Sequence, residues 1–526
     1  MTNWNILQKY TEVESKNNSK MNKNFKILLF YPNEPLLGAA PSNLAILSAC
    51  LKNDGFDVKL FDCTIYKPKS TQTNDEMRAK LGHVKPTKID EYFKAKDVDI
   101  YEDFVKIVEE YKPNLIGFSV LDSTIPFSYT FIEKIKNKNI PIIFGGVGAT
   151  FGYEKILNSN MVNFVCIGEG EEALVELANK LYKKEDCSNI KNIYLKNKNG
   201  LIIKNKLRSL IDINKLPTPD FSIYEYYRFY RPFFGNVVRT MVIDTDRGCP
   251  FSCTYCAAPA LMNLSKNENI GKYYRTKTFD KIFQDINSLV KQFDINHLLF
   301  VSETFTALPL KLFKKFAIRY KNEVGIPFSC QSRLDTLTEE KTKLLAEMGC
   351  KTVAVGLEHG SEKTRKDLLN KRLSNKQIIS AFKELAKYDI TPGINNMIGL
   401  PDERRSDVFE TIKLNRKVSK ILKGKHTLNV FTFIPFSGTK LRDIAMEKKY
   451  ITGEEEILIS FFDKSLLDMP SMSKEEIYGL EKTFVLYVML PKSYYPDIKV
   501  AEKNDSKGEE MFEKLMVIKH KLLNNK

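Results

Sequence analysis

Twice along this chain, short apolar runs alternate with segments of helical period, and a proline-marked stretch, Leu216-Pro-Thr-Pro-Asp-Phe221, separates the two series. Such βα alternation admits few folds, because strands of this kind are buried on both faces by the helices that connect them. In the first series strands are expected at Lys26–Tyr31, Asp57–Phe61, Leu115–Val120, Pro141–Phe144 and Val162–Ile167. Helices are expected at Ser42–Lys52 (with Ser42 as N-cap), near Asp103–Glu110, at Phe127–Asn137 and at Glu171–Tyr182. The pattern predicts an α/β fold that begins with a doubly wound, Rossmann-like parallel sheet over residues 25–205, ending in a hairpin, Ile193–Asn205, around Asn199-Gly200. Residues 1–24 read as a polar extension and Lys67–Val98 as a polar insertion.

The second series places strands at Val237–Asp244, Leu298–Val301, Pro327–Gln331, Thr352–Leu357, Thr391–Ile398 and Thr427–Phe433, with helices such as Lys281–Gln292 and Gln377–Tyr388 between them. Six such strands suit a partial (β/α)6 or full parallel barrel over residues 237–445. Residues 206–236, with the aromatic run Tyr224–Phe234, read as a linker. Residues 446–526 read as a small, mostly helical C-terminal domain in which Ser473 caps Lys474–Met489. Tyr224–Phe234 and Phe461–Phe462 are candidates to line an apolar pocket, with core packing as the plainer account.

Cys249, Cys253 and Cys256 stand in Asp246-Arg-Gly-Cys-Pro-Phe-Ser-Cys-Thr-Tyr-Cys-Ala257, directly after the first strand of the second series. This CxxxCxxC offers three thiolates, one fewer than normally close an iron–sulfur cluster, so a 4Fe–4S cluster here keeps one iron open to a further ligand. A structural zinc wants four ligands from paired knuckles, and the nearby chain supplies no histidine or fourth cysteine. The nine cysteines are an odd number, and several, such as Cys166 and Cys330, stand in apolar runs; this fits a reducing cytoplasm rather than a disulfide framework.

A hydrophobic content of 43% and a mean hydropathy of −0.30 describe a soluble globular chain. No apolar run approaches the roughly 18–20 residues that cross a bilayer, and the N-terminus lacks an apolar signal-peptide core. The net charge of +16 is mostly scattered lysine, as in Lys191–Lys198 and Lys363–Lys376. Without an arginine-rich arm or an aromatic-and-basic stripe it reads as a solvated surface, and a nucleic-acid partner is not expected.

Gly145-Gly-Val-Gly-Ala-Thr150 and Gly168-Glu-Gly-Glu171 each follow a strand of the first series. Glycine there lets backbone N–H groups approach a ligand's phosphate or amide. Neither is the Gly-x-Gly-x-x-Gly dinucleotide fingerprint, and tight structural turns are the alternative.

The cysteine motif, with Tyr255 before its last thiol, lies between the first strand and first helix of a six-strand βα series. In this it resembles the radical S-adenosylmethionine (SAM) superfamily. The resemblance continues through Val355-Gly-Leu-Glu-His-Gly-Ser361, Asn396-Met-Ile-Gly-Leu-Pro401 and Pro435-Phe-Ser-Gly-Thr439. The first domain is similar to the cobalamin-binding domain that precedes this barrel in a large subgroup. That similarity rests on Tyr31-Pro32, Pro113–Ser119, Gly145-Gly146, Gly168-Glu-Gly-Glu171 and the linker Leu216-Pro-Thr-Pro.

The resemblance implies that SAM chelates the open iron through its amino and carboxylate groups. One electron from the reduced cluster then cleaves a sulfur–carbon bond to give a 5′-deoxyadenosyl radical. It implies SAM contacts from Tyr255 beside the adenine, Glu358 at the ribose hydroxyls and Arg333 at the carboxylate. Asn395 and the turn from Ile398 are expected at the adenine, and Ser302 and Glu303 at the amino group. Ser302-Glu-Thr-Phe305 departs from the acidic pair often found after that strand. Around cobalamin the resemblance implies Asn33, Leu37 and Gly38 near the corrin, and Ser119, Gly145, Gly146, Val147, Gly168 and Gly170 near the tail.

None of the five histidines, His83, His297, His359, His426 and His520, falls in an Asp-x-His-x-x-Gly pattern, so cobalamin is expected to bind without a protein imidazole on cobalt. The implied activity is methylation of an unactivated carbon or phosphorus centre of a small molecule, using two SAM, the radical and methylcobalamin. An electron donor such as flavodoxin or ferredoxin is the implied partner. The alternatives are a cyclase or oxidoreductase acting on a carbon skeleton, as in anaerobic tetrapyrrole cyclisation, and a radical SAM enzyme whose first domain no longer binds cobalamin. A non-catalytic iron–sulfur or RNA-binding module is the reading outside enzymes.

Overall fold

Phe30 shows how the first sheet is built. Its ring lies against those of Phe61, Phe104, Phe118 and Phe131, with centroids 4.3 to 5.2 Å away, so one face of the sheet is closed by aromatic packing. The structure, a computed structural model, describes residues 23–34, 38–67, 74–84, 87–89, 91–457 and 465–524. Residues 1–22, Leu37, Phe461 and Phe462 lie outside the described residues.

The strands of this sheet are β1 (Lys26–Tyr31), β2 (Asp57–Asp62), β3 (Leu115–Ser119), β4 (Ile142–Gly145), β5 (Phe164–Cys166), β6 (Ile193–Lys196) and β7 (Ile202–Lys204). Their order is β2-β1-β3-β4-β5-β6-β7. The first five are parallel, and the β6–β7 hairpin adds antiparallel at the β5 edge. Chain direction across the sheet reverses between β1 and β3, and ligands bind beyond the carboxyl ends of the strands at such a switch point. Ser42 begins the helix Ser42–Asn53 but does not cap it; Pro41 is the N-cap. The Ser42 hydroxyl instead donates to Asp244 Oδ1 at 2.7 Å, across to the second sheet.

The second sheet holds β8 (Tyr230–Phe233), β9 (Asn236–Ile243), β12 (His297–Phe300), β13 (Phe328–Ser332), β14 (Cys350–Glu358), β15 (Thr391–Ile398) and β16 (Thr427–Thr432). A separate two-stranded ribbon pairs β10 (Asp246–Arg247) with β11 (Arg275–Thr276). The sheet runs β16-β15-β14-β13-β12-β9-β8, with six parallel strands in chain order and β8 antiparallel at the edge. β16 and β9 do not pair, so this is a partial barrel. The linker expected through residue 236 thus contributes a strand, and Pro232 is tolerated in it because β8 is an edge.

At the other edge the helix Lys474–Met489 covers β16, with the Glu481 carboxylate accepting from Thr432 N at 3.3 Å and Thr432 Oγ1 at 2.7 Å. Ser473 caps that helix as expected, its hydroxyl accepting from Glu476 N. Among the described residues no helix is long and apolar enough to cross a membrane.

His297 lies buried in β12, its Nε2 2.8 Å from Ser329 Oγ, and burial lowers its imidazole to about 4. A histidine held below its usual range binds a proton less readily folded than unfolded. Its contribution is therefore whole above about pH 6.5 and is lost as the pH falls toward 4. Protonation is expected to cost about 3 kcal/mol over that window. Urea titrations between pH 7 and pH 4 should show a steeper loss of stability for the parent than for His297→Gln; parallel curves would refute the assignment.

Candidate active site between the two sheets

The cysteine run leaves β9 through the β10–β11 ribbon. Gly248, just before Cys249, has φ +84°, and a Cβ there would lie 2.7 Å from Tyr273 O, so only glycine brings the chain back so tightly. Asp246 pairs with Thr276 and Arg247 with Arg275 across the ribbon. Directly opposed arginines repel, and two carboxylates of Gly168-Glu-Gly-Glu171 answer them. Glu169 accepts from Arg275 (Nη2 to Oε1 2.5 Å, Nη1 to Oε2 3.2 Å) and from Arg247 Nη1 at 3.2 Å, and Glu171 pairs with Arg247 Nη2. The turn expected to serve a ligand through its glycines therefore also ties the first domain to the cysteine run.

Cys253 is buried and Cys249 and Cys256 are half-buried. Arg333 Nη1 donates to Cys253 Sγ at 3.3 Å, and Ala258 N donates to Cys256 Sγ at 3.4 Å. Burial pushes the Cys256 thiol up to about 11, so a thiolate there depends on a bound metal's charge and on such N–H donors. Among the described residues no three histidine, cysteine, aspartate or glutamate side chains are placed to hold a single metal ion.

Most residues expected at SAM already have protein partners. Tyr255 OH donates to Glu358 Oε1 at 2.9 Å, and burial together with the Glu358 charge keeps that phenol protonated. Lys371, buried, donates to the same Oε1 at 2.8 Å and to Gly356 O at 2.8 Å. Lys371 was not among the expected residues. Arg333 gives Asp335 two hydrogen bonds, at 3.0 and 2.7 Å, so the fork expected at the SAM carboxylate is engaged there. Ser302 is buried with its hydroxyl 2.5 Å from Thr245 Oγ1, which braces the end of β9 rather than facing a ligand.

Asn395 accepts from Asn429 Nδ2 at 2.9 Å. Ile398 is buried on the opposite face of β15, and its carbonyl accepts from Phe433 N. His359 Nδ1 accepts from Ser361 N, which leaves the proton on Nε2 to be donated to Glu403 Oε1 at 3.0 Å. The other Glu403 oxygen accepts from Gly399 N and Leu400 N. The Val355–Ser361 and Asn396–Pro401 motifs are thereby joined.

Between the two sheets lies a cavity of about 510 Å³. Ser119, Gly145, Gly146, Val147, Gly168 and Gly170 line its first-domain wall. Asp246, Arg247, Glu303 and Leu261 line it from the barrel side. At Gly145 and Gly168 an added Cβ would meet its nearest atom at 3.8 Å, an ordinary contact, and at Gly168 it is the positive φ of +73° that calls for glycine. Gly146 differs: with φ +103° and Val120 O 2.7 Å from a would-be Cβ, its glycine serves the packing of the chain on itself. Asn33 and Gly38 are not on this wall. Asn33 Nδ2 donates to Tyr31 OH at 2.7 Å, and Gly38 O accepts from buried Arg228 at 3.1 Å. Asp246 faces the cavity, and burial pushes its carboxyl up to about 6 against the hydrogen bonds from Ser302 and Thr245.

Residues 244–414 match the Radical SAM superfamily, and residues 39–178 match the B12 binding domain. The chain carries a radical SAM domain and, ahead of it, a B12-binding domain. An uncharacterized methyltransferase of Pyrococcus horikoshii is 27% identical over 404 residues, covering 76% of this chain and 83% of that protein. The anaerobic magnesium-protoporphyrin IX monomethyl ester cyclase of Rubrivivax gelatinosus is 24% identical over 328 residues, covering 60% of this chain and 57% of the cyclase. The solved structure of the cobalamin-dependent S-adenosylmethionine radical enzyme OxsB, with aqua-cobalamin and S-adenosylmethionine bound, shares the fold. Its TM-score is 0.62 at 14% identity, covering 98% of this chain and 76% of that one.

The domains imply a 4Fe–4S cluster, SAM and cobalamin. The donor set fits the cluster, with three thiols in one loop and N–H groups aimed at two of them. The cavity at the carboxyl edge of the first sheet, lined by Ser119, Gly145, Gly168 and Gly170, fits a cobalamin tail.

Replacing Glu169 by Gln removes the charge between Arg247 and Arg275 while keeping the side chain's size. Loss of charged hydrogen bonds worth about 1.5–3 kcal/mol should raise amide exchange across residues 246–257 roughly ten- to a hundredfold. Unchanged exchange in Glu169→Gln would show that the ribbon stands without the first domain.

Proposed function

We propose that this radical SAM enzyme is a cobalamin-dependent methyltransferase that consumes two SAM per methyl group, one as methyl source and one as radical source. The observation that carries this reading is the shared cavity. One wall is the glycine-lined edge of the B12-binding domain, and the other is the ribbon and loop that lead to Cys249, Cys253 and Cys256. Bound there, the cluster with SAM supplies a hydrogen-abstracting radical, and cobalamin carries the methyl group. A chain that only cleaved SAM would have no need to hold the two walls together.

The residues have separable tasks in this proposal. Arg333 holds Cys253 by a hydrogen bond and is itself fixed by Asp335. Glu358 has Oε1 occupied by Tyr255 and Lys371, and its other oxygen is the acceptor offered to the ribose hydroxyls. Glu303, on the cavity wall, remains the candidate for the SAM amino group. Ser119, Gly145, Gly168 and Gly170 receive the cobalamin tail. Support for methylation over cyclisation comes from coverage: the methyltransferase match spans 83% of that relative, and the cyclase match 57% of the cyclase. The substrate is a small molecule, and the reaction calls for a reducing cytoplasm and a flavodoxin- or ferredoxin-like electron donor.

Anaerobic reconstitution with iron, sulfide and cobalamin, followed by dithionite and SAM, should yield both 5′-deoxyadenosine and S-adenosylhomocysteine. Deoxyadenosine without S-adenosylhomocysteine would overturn methylation and favour the cyclase reading. Cys253→Ala should lose the cluster's iron and charge-transfer absorbance and abolish deoxyadenosine formation. Cleavage that survived this change would remove the cluster assignment.

A further inference from the structure

The lysine-rich run Lys363–Lys376, read from the sequence as mere solvated surface, turns out to be bonded to the cysteine loop. Asn370 Nδ2 donates to both the carbonyl and the hydroxyl of Ser252, each at 2.9 Å, and Ser252 immediately precedes Cys253. On the other side of Cys253, Thr254 N donates to Leu369 O at 3.1 Å, and Thr254 Oγ1 donates to Leu368 O at 2.6 Å. Four hydrogen bonds thus fasten this segment to the two residues that flank the buried cysteine.

The charge of the segment is lopsided. Lys363, Lys366, Arg372 and Lys376 are exposed, against the exposed carboxylates Glu362 and Asp367. Glu362 is itself occupied as an acceptor for Asn375 N at 2.6 Å. Beneath them Arg365 is fully buried, and its guanidinium is held by the carbonyls of Leu373 and His359 and by Asn375 Oδ1. Those are neutral acceptors, and the charge that acts on Arg365 is the Glu362 carboxylate, so these two offset each other and the exposed cations carry the surface field. Lys371 contributes nothing net, being neutralised by Glu358. Pro250 and Ser252 of the cysteine loop are exposed, and Ser252 is bonded to this segment, so a carrier seated here meets the loop that carries Cys249 and Cys253.

We propose that Lys363, Lys366, Arg372 and Lys376, with the exposed edge of the cysteine loop at Pro250 and Ser252, form the docking surface for an acidic one-electron carrier protein. The inference rests on the cluster assignment made above and adds where the electron enters. The step is a single outer-sphere transfer: the carrier is oxidised by one electron, the cluster is reduced by one, and no bond is made or broken. Opposed surface potentials raise such encounter rates and lose their effect as salt screens them.

The test uses the reconstituted full-length enzyme and a reduced, acidic bacterial flavodoxin, with dithionite as a small reductant that needs no docking surface. The variant is Lys363→Glu, Lys366→Glu, Arg372→Glu and Lys376→Glu combined. Its control is Lys184→Glu, Lys191→Glu, Lys198→Glu and Lys206→Glu, an equal charge change at exposed lysines of the first domain and the start of the linker. Stopped-flow reduction of the cluster by flavodoxin at low ionic strength should slow about tenfold or more in the first variant and remain near the parent rate in the control. High salt should shrink the difference. Reduction by dithionite, iron content and dithionite-driven SAM cleavage should be unchanged, which shows that the variant is folded and loaded.

Equal flavodoxin rates in the first variant and the parent would overturn the proposal, as would equal slowing in both quadruple variants, which would reveal only a net-charge effect. If the parent itself shows no reducible cluster with dithionite, the cluster assignment fails instead. Should the quadruple variant fail to fold, the pair Lys363→Gln and Lys366→Gln is read in the same assay and should show a smaller loss of the same sign.

Discussion

Arg247 and Arg275 stand opposite each other in a ribbon of only two residues per strand, an arrangement that would splay unless negative charge lies between them. Glu169 and Glu171 supply that charge from the first residues after β5, on the far side of a domain boundary. The ribbon leads directly to Cys249, so the path of the cysteine loop depends on carboxylates that belong to another domain. Glu171 is buried, Glu169 and both arginines are mostly so, and a partly dehydrated, fully matched set of this kind is far costlier to break than a surface pair. The Gly-Glu-Gly-Glu turn thus has two tasks: with Gly168 at φ +73° it forms part of the cavity wall, and its carboxylates aim the loop across from it.

Other joints act in the same sense. Ser42 at the start of the first helix bonds Asp244 at the end of β9, and Asp122 after β3 accepts from Ser437 N at 2.6 Å in the Pro435–Thr439 turn. Buried Arg228 from the linker is paired with Asp62 at the end of β2 at 2.9 Å. Domains joined only by a linker move relative to one another by default. Here the contacts at the carboxyl ends of β5 and β9 line the cavity itself, through Glu169, Glu171, Arg247, Ser42 and Asp244, and those after β2 and β3 lie outside its lining. The separation between the cysteine loop and the glycine-lined wall is therefore set by bonded side chains rather than by linker length.

Much of this was legible in the sequence, and the exceptions have physical causes. The parallel strands were found within a residue or two because they are buried on both faces and read as continuous apolar runs. β8 escaped because an edge strand need not read that way, and because Pro232 argues against a strand everywhere except at an edge. Ser42 had the chemistry of a cap, but its hydroxyl met a carboxylate brought in by the other sheet, a partner that local pattern cannot supply. The same holds for Lys371 against Glu358 and for Glu169 against two arginines about 80 and 106 positions away. The three-cysteine loop was readable from its spacing; the charges that orient it were not, since ion pairs across domains leave no periodic trace.

The least patterned parts of the chain are also those that reach into the barrel. Between β15 and β16, Asn395 and Asn429 are direct neighbours joined by their side chains on the face that lines the partial barrel. Arg78 from the polar insertion donates to Asn429 Oδ1 at 3.3 Å, and Lys80 on the same short helix pairs with Glu509 of the last helix at 2.5 Å. The insertion is thus clasped between the barrel face and the C-terminal helices. A six-strand barrel leaves a gap that a closed eight-strand barrel would not have, and whatever covers the gap supplies side chains to the interior. Here the covering elements are the insertion and the C-terminal helices, segments free of the strand–helix repeat that constrains the rest. One scaffold can then keep its cluster loop and cavity unchanged while the chemistry of its interior is altered by these two segments.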